Sequence, residues 1–305
     1  MENIDDLYQL LLPRLERLEA HRLEVNKKVK TIQLVSLAAG AATAFAASYL
    51  FQFFGGLLVG AVIGLAGYAW LYHRVVTPFK KDYKTSIFRE LIDALGTGYR
   101  YLPRGGFSEA ELRRSGLFPP FTKAECEDLI ERTGQHQGFR LAELRLQKKS
   151  SNRHGSNNIQ VFKGLYLMGS LPEKLPADLM ILLQTGEDAF FPDRVEDHWE
   201  TVSVEYLAFS KAYEVYSNKP EAATSLLRPE FMDAVLMARD RLVYDDRMHL
   251  EVALKDNQLY VAFRTPEDLF EPSLSAPMTD YDMFASNLRF IVYITGLLDT
   301  LRSQI

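Results

Sequence analysis

At 305 residues the chain has room for two ordinary domains or one large domain with an appendage. Its one cysteine, Cys126, excludes an internal disulfide and any multi-cysteine zinc or iron–sulfur site within a single chain, and suits a reducing compartment. A net charge of −5 and a pI near 5.8 argue against a nucleic-acid binder working through a broad basic face, so no nucleic-acid partner is expected.

Residues 1–31 read as an amphipathic helix. Leu15, Leu18, Val25 and Val29 share one face, with Glu16, Arg17, Glu19 and Lys27 on the others. Arg22 interrupts the stripe, which argues against a strong coiled coil. Pro13 fits a first helical turn but would kink a helix that continues the pattern of Ile4, Leu7 and Leu11. Packing against the soluble domain is preferred to self-association.

From Ile32 to Tyr72 there is no Asp, Glu, Lys or Arg, where average composition would place roughly ten. A helix from Ile32 to Phe54 would cover roughly 34 Å, enough for a hydrocarbon core of about 30 Å. Gly55-Gly56 marks a turn, so residues 32–76 are expected to form a transmembrane hairpin with spans of about 32–54 and 57–76. Trp70 and Tyr72 belong at an aromatic belt. Basic residues stand on both outer flanks: Arg22, Lys27, Lys28 and Lys30 before, and Arg74, Lys80, Lys81 and Lys84 after. The turn has none. That asymmetry predicts a multi-pass protein of the cell inner membrane with both termini cytoplasmic and the lipid bilayer as its first partner. Small residues recur every fourth position, at Ser36, Gly40, Ala44 and Ser48 and at Gly56, Gly60 and Gly64. Hairpin closure is their plainer use, and a homo-oligomer is the alternative.

Residues 77–305 are expected to form a cytoplasmic domain. Thr77-Pro78 reads as an N-cap followed by proline at the first helical position. Phe79, Tyr83, Ile87, Leu91 and Leu95 then follow at intervals of four, and Gly96 closes the helix. Lys80, Lys81 and Lys84 face either anionic headgroups or plain solvent. Pro103-Arg104-Gly105-Gly106 and Phe118-Pro119-Pro120 mark a loop-rich stretch with one short helix at Ser108–Arg114. Strands are expected at Phe139–Leu146 and Val161–Met168, separated by a polar loop from Lys148 to Asn158, then at Leu179–Leu183, Val202–Phe209 and Tyr213–Tyr216. Pro220 to Met237 is helical, in two pieces because of Pro229. Met248–Leu254 and Leu259–Phe263 form a β-hairpin around Asp256-Asn257, with Leu250, Val252, Leu259 and Val261 inward and Glu251 outward. A last helix covers Tyr281–Leu301. Strands and helices come in clusters, so the fold class is α+β with a mainly antiparallel sheet.

Four segments together resemble a known family. Tyr83-Lys84 with the helix to Leu95, VFKGLYLMG from Val161 to Gly169, YEVYSNKPEAATSLLRPEFM from Tyr213 to Met232, and DLFEP from Asp268 to Pro272 are similar to the bacterial domain-of-unknown-function family 3137. The resemblance extends over roughly Phe79 to Leu301. It implies paired membrane spans before the domain, and it carries over no functional residue, since the family has no assigned activity. Cys126 and its acidic neighbours depart from the glycine-containing pattern associated with that region.

The densest charge lies in GEDAFFPDRVEDHWE, Gly186 to Glu200. Asp193, Asp197 and His198 are its candidate metal ligands, because clustered oxygens suit hard cations and one imidazole would admit a transition metal. No EF-hand or His-x-x-x-His spacing supports them, and a solvated acidic loop is the plainer reading. His136, His154 and His249 stand in separate contexts, with His249 expected to point outward. Cys126 sits among Glu125, Glu127 and Asp128, whose charge would raise its pKa, the wrong direction for a nucleophile. No phosphate loop, nucleophile elbow or Ser-x-x-Lys occurs, so no cofactor and no catalytic residue is assigned. The expected function is a binding or scaffold module at the inner membrane face with a protein partner on the cytoplasmic side. The alternative is an enzyme near the membrane surface with a metal in the 186–200 loop. Two short spans without an internal ionisable residue disfavour a transporter.

Overall fold

A computed structural model describes residues 4–51, 55–134, 138–152, 155–184, 195 and 198–305. The chain forms two compact units, Met1–Ala94 with Phe270–Leu288, and Leu95–Leu269 with Arg289–Ile305.

The first unit is helical. Helix α1 runs unbroken from Ile4 to Phe51 and α2 from Gly56 to Tyr83, followed by a π-turn at Lys84–Phe88 and a short α3 at Arg89–Asp93. The expected helix start at Thr77-Pro78 is corrected, because Pro78 lies inside α2, and α1 continues the pattern of Ile4, Leu7 and Leu11 through Pro13. Each proline is on an exposed side, where solvent can satisfy the carbonyl that proline leaves without a donor, and buried neighbours (Leu11 and Leu15; Val76 and Phe79) hold the helix around it.

The π-turn answers a sequence problem. Four residues advance a helical position by about 400°, so Phe79, Tyr83, Ile87 and Leu91 would drift some 40° per step around an α-helix. A wider turn at Lys84–Phe88 brings them back, and all four are buried. Thr85 Oγ1 donates to Lys81 O at 2.9 Å and Ser86 Oγ to Asp82 O at 2.6 Å, serving carbonyls near the widened turn.

Near its start α1 buries Leu7, Leu11, Leu15, Leu18 and Val25. Arg22, which interrupts this stripe in the sequence, is also buried. It donates to both Glu19 carboxylate oxygens at 2.6 and 2.8 Å and to Leu274 O at 2.6 Å. The irregular segment between Phe270 and Asp280 is strapped to the helices by such side chains. Glu19 accepts from Met278 N, Asn26 donates to Leu274 O, and Tyr8 OH donates to Thr279 O.

The second unit is built on one nine-stranded sheet, antiparallel throughout. Its strands are β1 Tyr99–Leu102, β2 Lys123–Arg132, β3 Phe139–Asn152, β4 Gly155–Ser170, β5 Leu179–Leu183, β6 Glu200–Thr201, β7 Tyr213–Ser217, β8 His249–Lys255 and β9 Gln258–Arg264. The spatial order is β1-β2-β3-β4-β9-β8-β5-β7-β6. On one face Leu144, Leu146, Phe162, Tyr166, Ala253 and Tyr260 pack under Phe107, Leu112, Leu117, Phe118 and Phe121 from the loop-rich stretch and α4 (Glu109–Arg114). Ser108 and Glu111 close a capping box at the start of α4. Leu250, Val252, Val261 and Phe263 belong to the opposite face. There α7 (Pro229–Leu242) packs on β8, and the last helix, α8 (Tyr281–Arg302), is tied down by Arg132 to Asp299 at 2.7 Å and by Arg302 to Gly138 O at 2.6 Å. Pro220–Ala223 forms a separate short helix, α6, so the division at Pro229 holds.

Burial of both faces overturns several expectations drawn from alternation. Glu251 is buried, 8% exposed, where an outward position was expected, and His249 is half-buried. The polar stretch from Lys148 to Asn158 is mostly strand, continuing β3 and β4 as a paired ribbon whose residues from Gln147 to Asn152 face Gly155 to Gln160. Val202–Phe209 is not a strand: β6 ends at Thr201, and Leu207–Ser210 is a helical turn, α5. Strand β1 arises where a loop was expected and β2 where no element was assigned, β2 being polar on its exposed positions and bulged around Asp128, whose φ is +57°.

Candidate functional site

Of the metal candidates, Asp193 and Asp197 lie outside the described residues, as do His136 and His154. His198 is exposed. Among the described residues no group of three His, Cys, Asp or Glu side chains comes together as a metal site. The Cys126 thiol is raised, as expected in direction, but burial is the larger cause. It donates to Phe107 O at 3.5 Å, and the nearby Glu111 adds to the rise while Arg140 opposes it.

On the sheet, Lys163 donates to Pro266 O at 2.7 Å and pairs with Asp268 at 2.6 Å. Arg145 approaches the same carboxylate at 3.8 Å. These cations and Glu125, Glu127 and Glu143 line a hollow of about 220 Å³. Beside Lys163, Gly164 has φ +148° and meets the β9 backbone so closely that any Cβ there would collide with Phe263 O.

The most unusual surface belongs to α1 and α2. The two helices meet through their small residues: a Cβ on Gly60 would lie 2.5 Å from Ala44 Cβ, and one on Gly40 would lie 2.9 Å from Gly60 O. The small-residue stripes therefore face each other within the pair, and beside them runs an apolar groove of about 630 Å³ from Gln33 and Tyr68 to Ala44 and Leu57. The large apolar side chains stay open to the surroundings, Leu37, Leu57 and Leu65 along the rim of that groove. Leu34, Leu37, Phe45, Tyr49, Leu57, Leu58, Val62, Leu65 and Trp70 are each more than 60% exposed. Below this zone the charged residues begin. Arg74 stacks over Trp70 with 5.4 Å to the ring centroid, and His21 reaches Asp82 at 3.2 Å. Lys80 and Lys84, read from sequence as facing headgroups or solvent, instead pair with Glu271 at 2.6 and 3.1 Å, and Lys84 is buried.

Sequence reasoning missed the Arg22–Glu19 clamp and the strap it holds. The signal was the DLFEP motif: Asp268 holds Lys163 in the sheet unit, while in the helical unit Phe270 packs on Phe88 at 4.9 Å and Glu271 binds the two lysines.

Fold and surface define an α+β protein with one antiparallel sheet and a long apolar helix pair. Residues 160–303 match the family described as "Protein of unknown function (DUF3137)". The match begins later than the resemblance at Phe79. Among solved structures, the mycobacterial trehalose monomycolate transport factor A, TtfA, is similar at 12% identity and a TM-score of 0.33, over 70% of this chain and 93% of that one. No curated protein matches the chain.

Proposed function

We propose that the chain is a membrane-anchored binding or scaffold module, with α1 and α2 crossing the inner membrane, both termini cytoplasmic, and the sheet unit presented to a protein partner on that side. The supporting observation is that the helix pair is apolar outside and small-residued inside. In water such a pair would expose its large side chains at about 25 cal/mol per Å² and bury little. In lipid, where packing rather than hydrophobicity joins helices, the arrangement is favourable. Ile32 to Phe51 spans roughly 30 Å of helix, the thickness of a hydrocarbon core. A tether also raises the effective concentration of the sheet unit for a membrane-associated partner.

Thiol labelling tests the reading in a Cys126→Ser background. Cysteine at Gly55 should react with an impermeant reagent in intact cells, while cysteines at Asn3 and Gln304 should react only after permeabilisation. Labelling of a terminus from outside would overturn the topology, and extraction of the chain by alkaline carbonate would overturn the anchor.

A further inference from the structure

The two flanks of the apolar zone contain many cations, and the structure sorts them. Lys80 and Lys84 are withdrawn to Glu271, and Lys28 is paired with Glu24 at 2.6 Å. Lys27, Lys30, Arg74 and Lys81 are exposed and make no ion pair among the described residues, but Lys81 stands two turns of α2 past Arg74, away from the apolar zone. The antiparallel register, marked by Gln33 beside Tyr68, Ser36 beside Gly64 and His21 beside Asp82, sets the turn of Lys27–Lys30 level with that of Tyr72–Val75. Lys27, Lys30 and Arg74 therefore form one belt across both helices, with His73 exposed in the same turn. No Asp or Glu occurs in the sequence from Val25 to Lys81.

We infer that this belt is a binding surface for the phosphodiester headgroups of anionic lipids, an inference that rests on the membrane reading above. Arg74 carries the geometric part of the argument. Its stacking on Trp70 fixes the guanidinium at the edge of the apolar zone, and its planar fork can donate two parallel hydrogen bonds to the oxygens of one phosphate. The lysines add charge without such directionality. Immediately beyond the belt, exposed Leu34, Leu37 and Trp70 offer contact to acyl chains. A ligand matching both parts carries an anionic phosphodiester attached to hydrocarbon, which free phosphate does not.

The test uses the full chain in phosphatidylcholine vesicles containing spin-labelled phosphatidylglycerol or spin-labelled phosphatidylcholine. The expected result is an association preference for the phosphatidylglycerol probe of about 3- to 10-fold at low salt, falling towards unity near 1 M salt, where screening reaches within about 3 Å. Lys27→Gln, Lys30→Gln and Arg74→Gln together should abolish the preference, and Lys80→Gln should retain it. Equal association of the two probes with an inserted wild-type chain, or a preference that survives the triple variant, overturns the belt and leaves the anchor standing. Displacement of the labelled lipid by millimolar inorganic phosphate at constant ionic strength also overturns it, by showing that the headgroup alone is recognised. A chain that enters neither vesicle removes the membrane reading and this inference together.

Discussion

Glu251 sits between Leu250 and Val252 on β8, and its neighbours on both faces are covered. Its Oε1 accepts from Leu183 N at 3.4 Å. Glu251→Lys should therefore destabilise by about 3 kcal/mol or more in urea unfolding, close to the effect of Val252→Asp, since each leaves a buried charge badly matched. In the turn that follows, Asp256 and Asn257 have φ of +51° and +61°. Asp256→Gly should be nearly neutral, and Asp256→Val should cost about 1–2 kcal/mol, because a β-branched residue resists the left-handed region. At Glu19, the hydrogen bond from Arg22 holds the carboxyl below its ordinary range against the opposing effect of burial, and the Met278 N–H adds to the lowering. The folded state thus binds fewer protons than the unfolded one around the ordinary carboxylate pKa. The resulting stability is present above that pKa and is lost as pH falls through the lowered value. Glu19→Gln should lower the melting temperature at neutral pH and reduce its fall on acidification.

At the scale of elements, the helix pair depends on the absence of side chains. Gly60→Leu would force apart backbones that approach through Gly40, Ala44 and Gly60. Oxidative cross-linking of cysteines at Gln33 and Tyr68, whose native side chains meet at 3.5 Å, should slow by about tenfold in that variant if one lost contact costs some 1.4 kcal/mol of helix pairing. The β8–β9 hairpin was legible because a short turn with residues tolerant of positive φ separates two apolar runs, and its register pairs Val252 with Val261. The ribbon of β3 and β4 was not. Lys148, Lys149, Asn157 and Asn158 carry no alternation, and what keeps them extended is cross-strand hydrogen bonding, a relation between segments that neither contains alone.

For the whole molecule, the grouping of Phe270–Leu288 with the N-terminal helices has a consequence for dissection. A fragment beginning at Pro78 lacks the face of α1 formed by Leu11, Leu15 and Leu18, together with Arg22 and Glu19, which bind the strap. It should melt well below the full chain, and a peptide of residues 4–26 should raise its melting temperature in a concentration-dependent way by binding the folded form. A fragment as stable as the full chain, and indifferent to the peptide, would show that this packing contributes little.

Local composition and spacing by themselves determined the apolar helix pair, the turn between its helices, the use of small residues to join them and the α+β class. Each follows from an unbroken apolar run, a recurrence of small residues or a turn signature that needs no partner to be read. Tertiary structure decided the rest. Whether Pro78 starts a helix or rides inside one depended on which side of α2 meets solvent. Whether Lys80 and Lys84 reach outward depended on Glu271, nearly two hundred residues away in sequence. Glu251 followed strand alternation, yet its exposure depended on a second layer that covers the other face of the sheet. Periodicity along a chain records which side chains share a face, and only the assembled layers determine whether that face meets water.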